Sequence, residues 1–169
     1  MATYINNNFD LGSDAMLEVH GMKFGLVVST WNKDITDNLF DGAYKTLLKY
    51  GAKDANIKKI EVPGSFELIY GCKKMQNREV DVVIAIGCII KGETDHYNYI
   101  CESVSNGISQ LNIINDVPIV FCVLTDHNIQ QSVNRSGGKH GNKGVESAIA
   151  AIKIAVSYTH LTLPTKRIV

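Results

Sequence analysis

Residues 81–90, DVVIAIGCII, constrain the fold of this chain more than any other segment. They are apolar or small except for Asp81, and valine and isoleucine, which favour extended strands, make up most of the run. The run is far shorter than the roughly 20 apolar residues that a membrane-spanning helix needs. A strand that is apolar on both faces has to be covered on both, as central strands of parallel sheets are. The segment therefore predicts a central strand between two layers of helices.

The segments around this run alternate between strand and helix patterns. Strands are predicted over residues 23–29, 57–62, 81–90 and 119–124. Helices are predicted over residues 35–50 and 66–75, around the stripe Ile100, Val104, Ile108 and Leu111, from a cap at Thr125 or Asp126 to the pair Gly137 and Gly138, and from about Val145 onwards. Such alternation predicts an α/β fold, a three-layer αβα sandwich with a four-stranded parallel sheet of the flavodoxin-like type.

The amino-acid composition limits the kinds of partner that this chain can bind. Lysine plus arginine and aspartate plus glutamate number 17 each, so no global field favours nucleic acid or an anionic membrane. The four cysteines show no CxxC spacing, which is typical of buried thiols in a reducing compartment: Cys72, Cys88, Cys101 and Cys122. The first residues lack the pattern of a secretory signal. We expect a cytoplasmic protein.

Length and composition also predict a single folded domain. A chain of 169 residues that is 45% hydrophobic can bury one good core. We expect an N-terminal extension over residues 1–22, the domain over residues 23–155, and a tail over residues 156–169. The tail contains Pro164 and a basic end without any acidic residue, which favours a non-native sequence over a natural frayed terminus.

Ligands of parallel sheets bind at the carboxyl ends of the strands, so the segments that follow the strands are the candidate site. In STWN, Asn32 is a turn or cap residue. In VPGSFE, the amides of Ser65 and Phe66 are predicted to open a helix and face a ligand. Glu67 falls in the first turn of that helix, where its alternative role is to complement the helix dipole.

The segment KGETDH follows the central strand and carries the densest polar chemistry. Gly92 allows the backbone to approach a ligand, and Glu93, Thr94 and Asp95 offer a cap and free amides at a helix start. His96 lies in that first turn, where an imidazole can transfer protons near neutral pH. A purely structural histidine is the alternative that spacing leaves open.

The segment NRSGGKHGNKG has the composition of a phosphate site. It groups Arg135, Lys139, His140 and Lys143 among glycines, and arginine grips phosphate through two parallel hydrogen bonds. No P-loop register is present, and a mobile surface loop is the alternative. Histidines with metal-ligand spacing such as HxxxH are also absent, so no metal site is expected.

Taken together, the segments GLVVSTWN, VPGSFELIYGCKKM, DVVIAIGCIIKGETDHYNYICESVSNGISQ and VPIVFCVLTDHNIQQSVNRSGGKHGNKGVESAIAAIKIA resemble the 6,7-dimethyl-8-ribityllumazine synthase family. The resemblance covers residues 23–155. It implies a transferase of riboflavin biosynthesis that condenses 5-amino-6-(D-ribitylamino)uracil with 3,4-dihydroxy-2-butanone 4-phosphate. It implies neither metal nor organic cofactor, and sites between adjacent subunits of a pentamer, with a sixty-subunit shell as the larger alternative.

The resemblance also implies roles for particular residues. His96 matches the proton-transfer histidine, and Trp31 matches an aromatic that stacks on the pyrimidine ring. The other implied contacts are with substrate: Gly64, Ser65, Phe66 and Glu67 with the ribityl chain and ring, Cys88, Ile89 and Ile90 with the ring edge, Glu93 and Thr94 with the butanone phosphate, Phe121 with a neighbour's site, and Arg135 and Lys143 with phosphate.

Some positions depart from the common family pattern. Thr30 and Lys91 stand where arginine is frequent, Trp31 replaces phenylalanine, and Cys88 replaces a small residue such as alanine. Tryptophan keeps a stacking face, so we expect the ring site to survive. Two other functions compete with the enzyme: a catalytically silent flavin- or lumazine-binding or shell-forming homologue, and an unrelated flavodoxin-like receiver or FMN carrier.

Overall fold

Four strands form one parallel sheet in the computed structural model, which describes residues 19–162. These strands are β1 (Phe24–Ser29), β2 (Ile57–Val62), β3 (Val82–Ile90) and β4 (Ile119–Asp126), and they lie in the order β2-β1-β3-β4. β3 pairs with β1 on one side and with β4 on the other. All its residues are buried except Ile90. The predicted central strand is confirmed.

Helices cover both faces of this sheet, which confirms the predicted three-layer fold. The helices are α1 (Lys33–Lys49), α2 (Leu68–Gln76), α3 (His96–Ile114), α4 (Ile129–Arg135) and α5 (Lys143–Thr162). α1 and α5 share one core cluster with the sheet, and α2 and α3 share the other. Successive side chains of β3 point to opposite faces of the sheet and so pack in both cores: Ile84 and Ile86 in the first, and Val83 and Ala85 in the second.

Close approach of α5 to α1 depends on a glycine. A Cβ atom at Gly144 would collide with the backbone carbonyl of Leu39 in α1. Only glycine therefore fits where α5 begins, and this contact fixes the position of Lys143 next to it.

The predicted starts of α2 and α4 are wrong, for local reasons. α2 begins at Leu68 rather than at residue 66, because the Glu67 carboxylate accepts the Gly64 N–H at 2.9 Å and closes a separate turn. β4 continues through Thr125 and Asp126, so neither caps the next helix. Asn128 caps it instead, and its side chain accepts the Gln131 N–H at 3.0 Å.

The glycine-rich segment after α4 folds into a small hairpin rather than only ending a helix. β5 (Ser136–Gly138) pairs antiparallel with β6 (Gly141–Asn142). Gly137 and Gly141 adopt φ angles of 129° and 75°, which side chains disfavour. α5 then starts at Lys143, two residues before the predicted Val145, where the Asn142 side chain accepts the Gly144 N–H at 2.8 Å.

The predicted terminal segments are only partly described. Residues 1–18 of the extension and residues 163–169 of the tail lie outside the described residues. Val19 and Met22 belong to the core on the α1 side, and Val156 packs against that same core. α5 runs on to Thr162, so the described part of the predicted tail is helical. Its non-native origin stays a prediction, which mass spectrometry of natively produced protein would test.

No helix within residues 19–162 is both long enough and apolar enough to cross a bilayer.

Candidate active site

A cleft of about 540 Å³ lies at the carboxyl edge of the sheet, where the sequence places the site. The loops after β1, β2 and β3 and the start of α3 form its walls. It is lined by Trp31, Asn32, Gly64, Ser65, Phe66, Glu67, Cys88, Ile89, Ile90, Gly92, Thr94, His96, Tyr97 and Ile100.

The turn after β1 holds an aromatic face towards this cleft. The N–H groups of Thr30 and Trp31 donate to the carbonyls of Val62 and Pro63, at 2.8 and 3.0 Å, which ties this turn to the end of β2. Trp31 is 72% exposed. Since few residues of its own chain cover the indole, a planar ligand can stack on it.

The turn after β2 offers polar groups that the fold leaves unused. The Ser65 hydroxyl is buried and has no hydrogen-bond partner in the described part of the chain. Neither the Ser65 nor the Phe66 N–H donates to a described residue. A buried hydroxyl without a partner is costly, so a ligand that bonds to it gains affinity. The prediction of free amides here holds, although they precede α2 instead of opening it.

The end of β3 exposes backbone to the cleft, because β3 is longer than its neighbour. The β1 ladder ends at the pair Val28 and Ile86, whereas the β4 ladder continues to Ile90 and Asp126. Asn32 Nδ2 reaches the Cys88 carbonyl from the β1 side at 3.1 Å. Backbone groups two residues apart in a strand point the same way, so the N–H and C=O of Ile90 also face the cleft. A heterocycle edge can pair with them.

The start of α3 presents free backbone amides and an imidazole to the cleft. The N–H groups of Gly92, Glu93 and Thr94 make no hydrogen bond to a described residue, and the Asp95 side chain does not cap the helix. Free amides at the positive end of a 19-residue helix attract phosphate. His96 begins the helix with its side chain exposed at the cleft. It can therefore reach a bound substrate.

Four predicted site residues do not line this cleft. Glu93 is exposed beside it, and Phe121 lies in the middle of β4, opposite Ala85. Arg135 ends α4, where its Nη1 donates to the Gln131 carbonyl at 3.0 Å. Lys143 pairs with Glu146 at 2.7 Å and lines a second cavity of about 520 Å³. Within one chain, therefore, the predicted phosphate-binding residues Arg135 and Lys143 do not line the cleft that contains His96.

Comparison with known proteins identifies the family to which this sequence is similar. The family model described as 6,7-dimethyl-8-ribityllumazine synthase matches residues 21–158. The chain belongs to this family. A curated lumazine synthase from Christiangramia forsetii is 51% identical over 157 residues, which covers 92% of this chain and 94% of that protein. The one from Flavobacterium johnsoniae is 51% identical over 156 residues, which covers 92% of this chain and 82% of that protein. The one from Bacteroides fragilis is 52% identical over 134 residues, which covers 79% of this chain and 94% of that protein.

Membership of the lumazine synthase family confirms the predicted resemblance. The chain is a transferase-type enzyme that acts on small molecules, and the matches support the predicted role in riboflavin biosynthesis. No cluster of three or more His, Cys, Asp or Glu side chains within residues 19–162 is arranged to hold a metal ion.

Sequence reasoning missed three residues of this lumazine synthase cleft. Asn32 lies in the turn that leads into α1, as predicted, and it also lines the cleft, which was not predicted. It adopts a left-handed φ of 57°. Its tolerance of that conformation was the available signal. Ile100 was predicted as a member of the apolar stripe of α3 but not as a site residue, and Tyr97 lies one helical turn before it; both are half-buried.

The departure at Cys88 is accommodated within the lumazine synthase cleft. Its thiol is 3.4 Å from the Ser132 hydroxyl and 3% of the residue is exposed. Burial raises the pKa of this thiol, and the nearby Asp126 carboxylate raises it further against the opposing effect of the Ser132 hydrogen bond. Cys88 is therefore a neutral thiol at physiological pH and not a nucleophile.

Proposed function

We propose that the chain condenses 5-amino-6-(D-ribitylamino)uracil with 3,4-dihydroxy-2-butanone 4-phosphate to give 6,7-dimethyl-8-ribityllumazine, phosphate and water. This is the penultimate step of riboflavin biosynthesis. The observation that carries the proposal is one cleft that combines a stacking face, open backbone, free helix-start amides and a histidine.

Each group of this cleft has a place in binding the pyrimidine. The Trp31 indole stacks on the ring, and the Ile90 backbone bonds to the ring edge. The unpartnered Ser65 hydroxyl and the amides of Ser65 and Phe66 take the ribityl hydroxyls. Such an arrangement orients the ring amine towards the start of α3.

The reaction needs proton transfers and a place for a dianion. The amine attacks the ketone and forms an imine with loss of water, and phosphate is then eliminated. The ribityl-bearing amine attacks the remaining carbonyl and closes the second ring with loss of a second water. His96, whose side chain lines the cleft, moves protons during these steps. The helix-start amides of α3 and the guanidinium of Arg135 bind the phosphate. Holding two reactants together also accelerates the condensation, since effective molarities reach about 10⁵ M.

We further propose that adjacent subunits complete each site. Phe121, Arg135 and Lys143 lie outside the cleft of their own chain, so a neighbouring copy has to supply them if they contact substrate. Light scattering would distinguish a pentamer from a sixty-subunit shell. The predicted cytoplasmic location stays a prediction, which cell fractionation would test.

The primary experiment mixes the two substrates with the purified protein and follows the absorbance and fluorescence of the lumazine. Product that depends on both substrates supports the proposal. Correctly assembled protein without product, but with quenching of the single tryptophan by added lumazine, would instead support the catalytically silent binder.

Co-production of two variants tests the shared site. His96→Ala damages one half and Arg135→Ala the other, so mixed assemblies regain intact sites only if adjacent subunits share them. In a random mixture about a quarter of shared sites are intact, and activity exceeds that of either variant alone. Activity equal to the average of the two variants would place both residues in one subunit's site.

A further inference from the structure

A buried polar chain connects the cleft with Arg135. The Cys88 thiol donates to the Ser132 hydroxyl at 3.4 Å, and that hydroxyl donates to Asp126 Oδ2 at 2.8 Å. The other carboxylate oxygen, Oδ1, lies 3.8 Å from Arg135 Nη1. Cys88, Ser132 and Asp126 are 3%, 0% and 6% exposed. The chain therefore ends on a buried carboxylate whose charge faces the guanidinium of Arg135.

We propose that Asp126 is a positioning residue that fixes Arg135 for phosphate binding, an inference that rests on the proposed function. A buried carboxylate requires an opposite charge or several hydrogen bonds. Among the described residues, Arg135 is the only ion-pair partner of Asp126. The carboxylate thus holds the guanidinium at one place.

The contacts on Arg135 leave the correct edge for an anion. Nη1 donates to the Gln131 carbonyl at 3.0 Å and is the atom that approaches Asp126. Nε and Nη2 make no hydrogen bond to a described residue. These two nitrogens form the parallel pair of donors that grips a phosphate bidentately. Asp126 fixes one end of the guanidinium and leaves that edge available.

Asp126 also anchors the helix that carries Arg135. α4 has seven residues, a length at which an isolated helix is not stable, so tertiary contacts must hold it. The Ser132 hydroxyl binds α4 to Asp126, and Ser132 lies one helical turn before Arg135. Through its backbone carbonyl, Asp126 accepts the Lys91 N–H at 2.9 Å, which joins this anchor to the end of β3.

The test uses Asp126→Asn, which keeps an acceptor for Ser132 and removes the charge that faces Arg135. Two quantities are measured on the assembled protein: the Kd of inorganic phosphate by calorimetry, and the KM of each substrate. We expect the phosphate Kd and the KM of the butanone phosphate to rise about fivefold, as loss of a partly buried ion pair predicts. The kcat and the KM of the pyrimidine stay within about twofold, because the cleft groups are untouched.

A double mutant separates positioning from a general structural role. In an Arg135→Ala background, Asp126→Asn has nothing left to position, so phosphate Kd changes no further. Asp41→Asn is the matched control, since it removes one carboxylate from an exposed ion pair with Lys45 at 3.1 Å and leaves phosphate binding unchanged. If Asp126→Asn does not fold, Ser132→Ala replaces it, with an expected increase of about threefold.

The two proposals fail in different ways. Phosphate binding that depends on Arg135 and Asp126 in a protein without turnover supports this inference and rejects the proposed reaction. Turnover with a phosphate Kd that is unchanged or lower in Asp126→Asn overturns this inference and leaves the reaction standing. Additive effects of Asp126→Asn and Arg135→Ala also overturn it.

Discussion

The cleft and the region of residues 135–143 differ in how completely a single chain builds them. The cleft is formed within one chain by loops that follow three adjacent strands. In residues 135–143, Arg135 and Lys143 face different surroundings, and neither lines the cleft. A parallel sheet brings strand ends together automatically, whereas the hairpin and α5 lead the chain away from them. Under the proposed shared site, these two regions are two half-sites that adjacent subunits bring together.

The largest expected effect comes from His96, the proposed proton carrier of the cleft. His96→Ala is expected to lower kcat severalfold to about a hundredfold, because holding the substrates together supplies part of the rate without the imidazole. Steady-state kinetics on assembled protein measures this. A variant that assembles normally and yields no detectable product would contradict the ranking of the two effects.

Arg135→Ala tests the region of residues 135–143, as His96→Ala tests the cleft. It removes a charged, bidentate contact of about 2 kcal/mol, so the KM of the butanone phosphate is expected to rise about thirtyfold. The KM of the pyrimidine is the internal reference and should change little. An unchanged KM for the phosphate substrate would exclude the role of Arg135.

A smaller effect is expected for the stacking face of the cleft. Trp31→Ala should raise the KM of the pyrimidine about tenfold, because stacking on an aromatic contributes about 1–3 kcal/mol per base. Trp31→Phe is the matched control, since it retains an aromatic face and should stay close to the wild type. Equal losses in both variants would mean that the indole itself, and not stacking, is required.

The smallest effect concerns Cys72, a buried thiol in the core that α2 and α3 share with the sheet. Its effect on stability is a reference for variants in both regions. Burial raises the pKa of the Cys72 thiol to about 12, whereas an unfolded thiol titrates with a pKa of about 8.5. The unfolded chain therefore loses the proton first, and the free energy of unfolding falls as pH rises from about 8.5 towards 12, by at most about 1.4 kcal/mol per pH unit and thiol.

Urea denaturation at neutral pH and one unit above the unfolded thiol pKa measures this loss. In Cys72→Ala the loss should be smaller, because one of the titrating thiols is gone. An identical pH dependence in the variant and the wild type would show that Cys72 does not titrate on unfolding. The stability of site variants can then be compared at a pH where thiol ionisation does not contribute.

Local patterns were sufficient for the layers of the fold and for most residues that line the cleft. The apolar run of β3 predicted a central strand, since only burial on both faces permits such composition. The polar segment after it had to lie at the carboxyl edge, which placed Thr94 and His96 correctly. The starts of α2, α4 and α5 were missed because each is set by one side chain, Glu67, Asn128 or Asn142, bonding to a nearby N–H.

The sequence by itself determined the strands, the helices, the family and the cleft, because each depends on periodicity or on contiguous motifs. Tertiary structure alone decided that Asp126 holds Arg135 through contacts with α4, and that Lys143 lies in a separate cavity. The bond from Cys88 to Ser132 spans 44 positions of the chain. Contacts of that kind follow from how layers stack, and no local pattern encodes them.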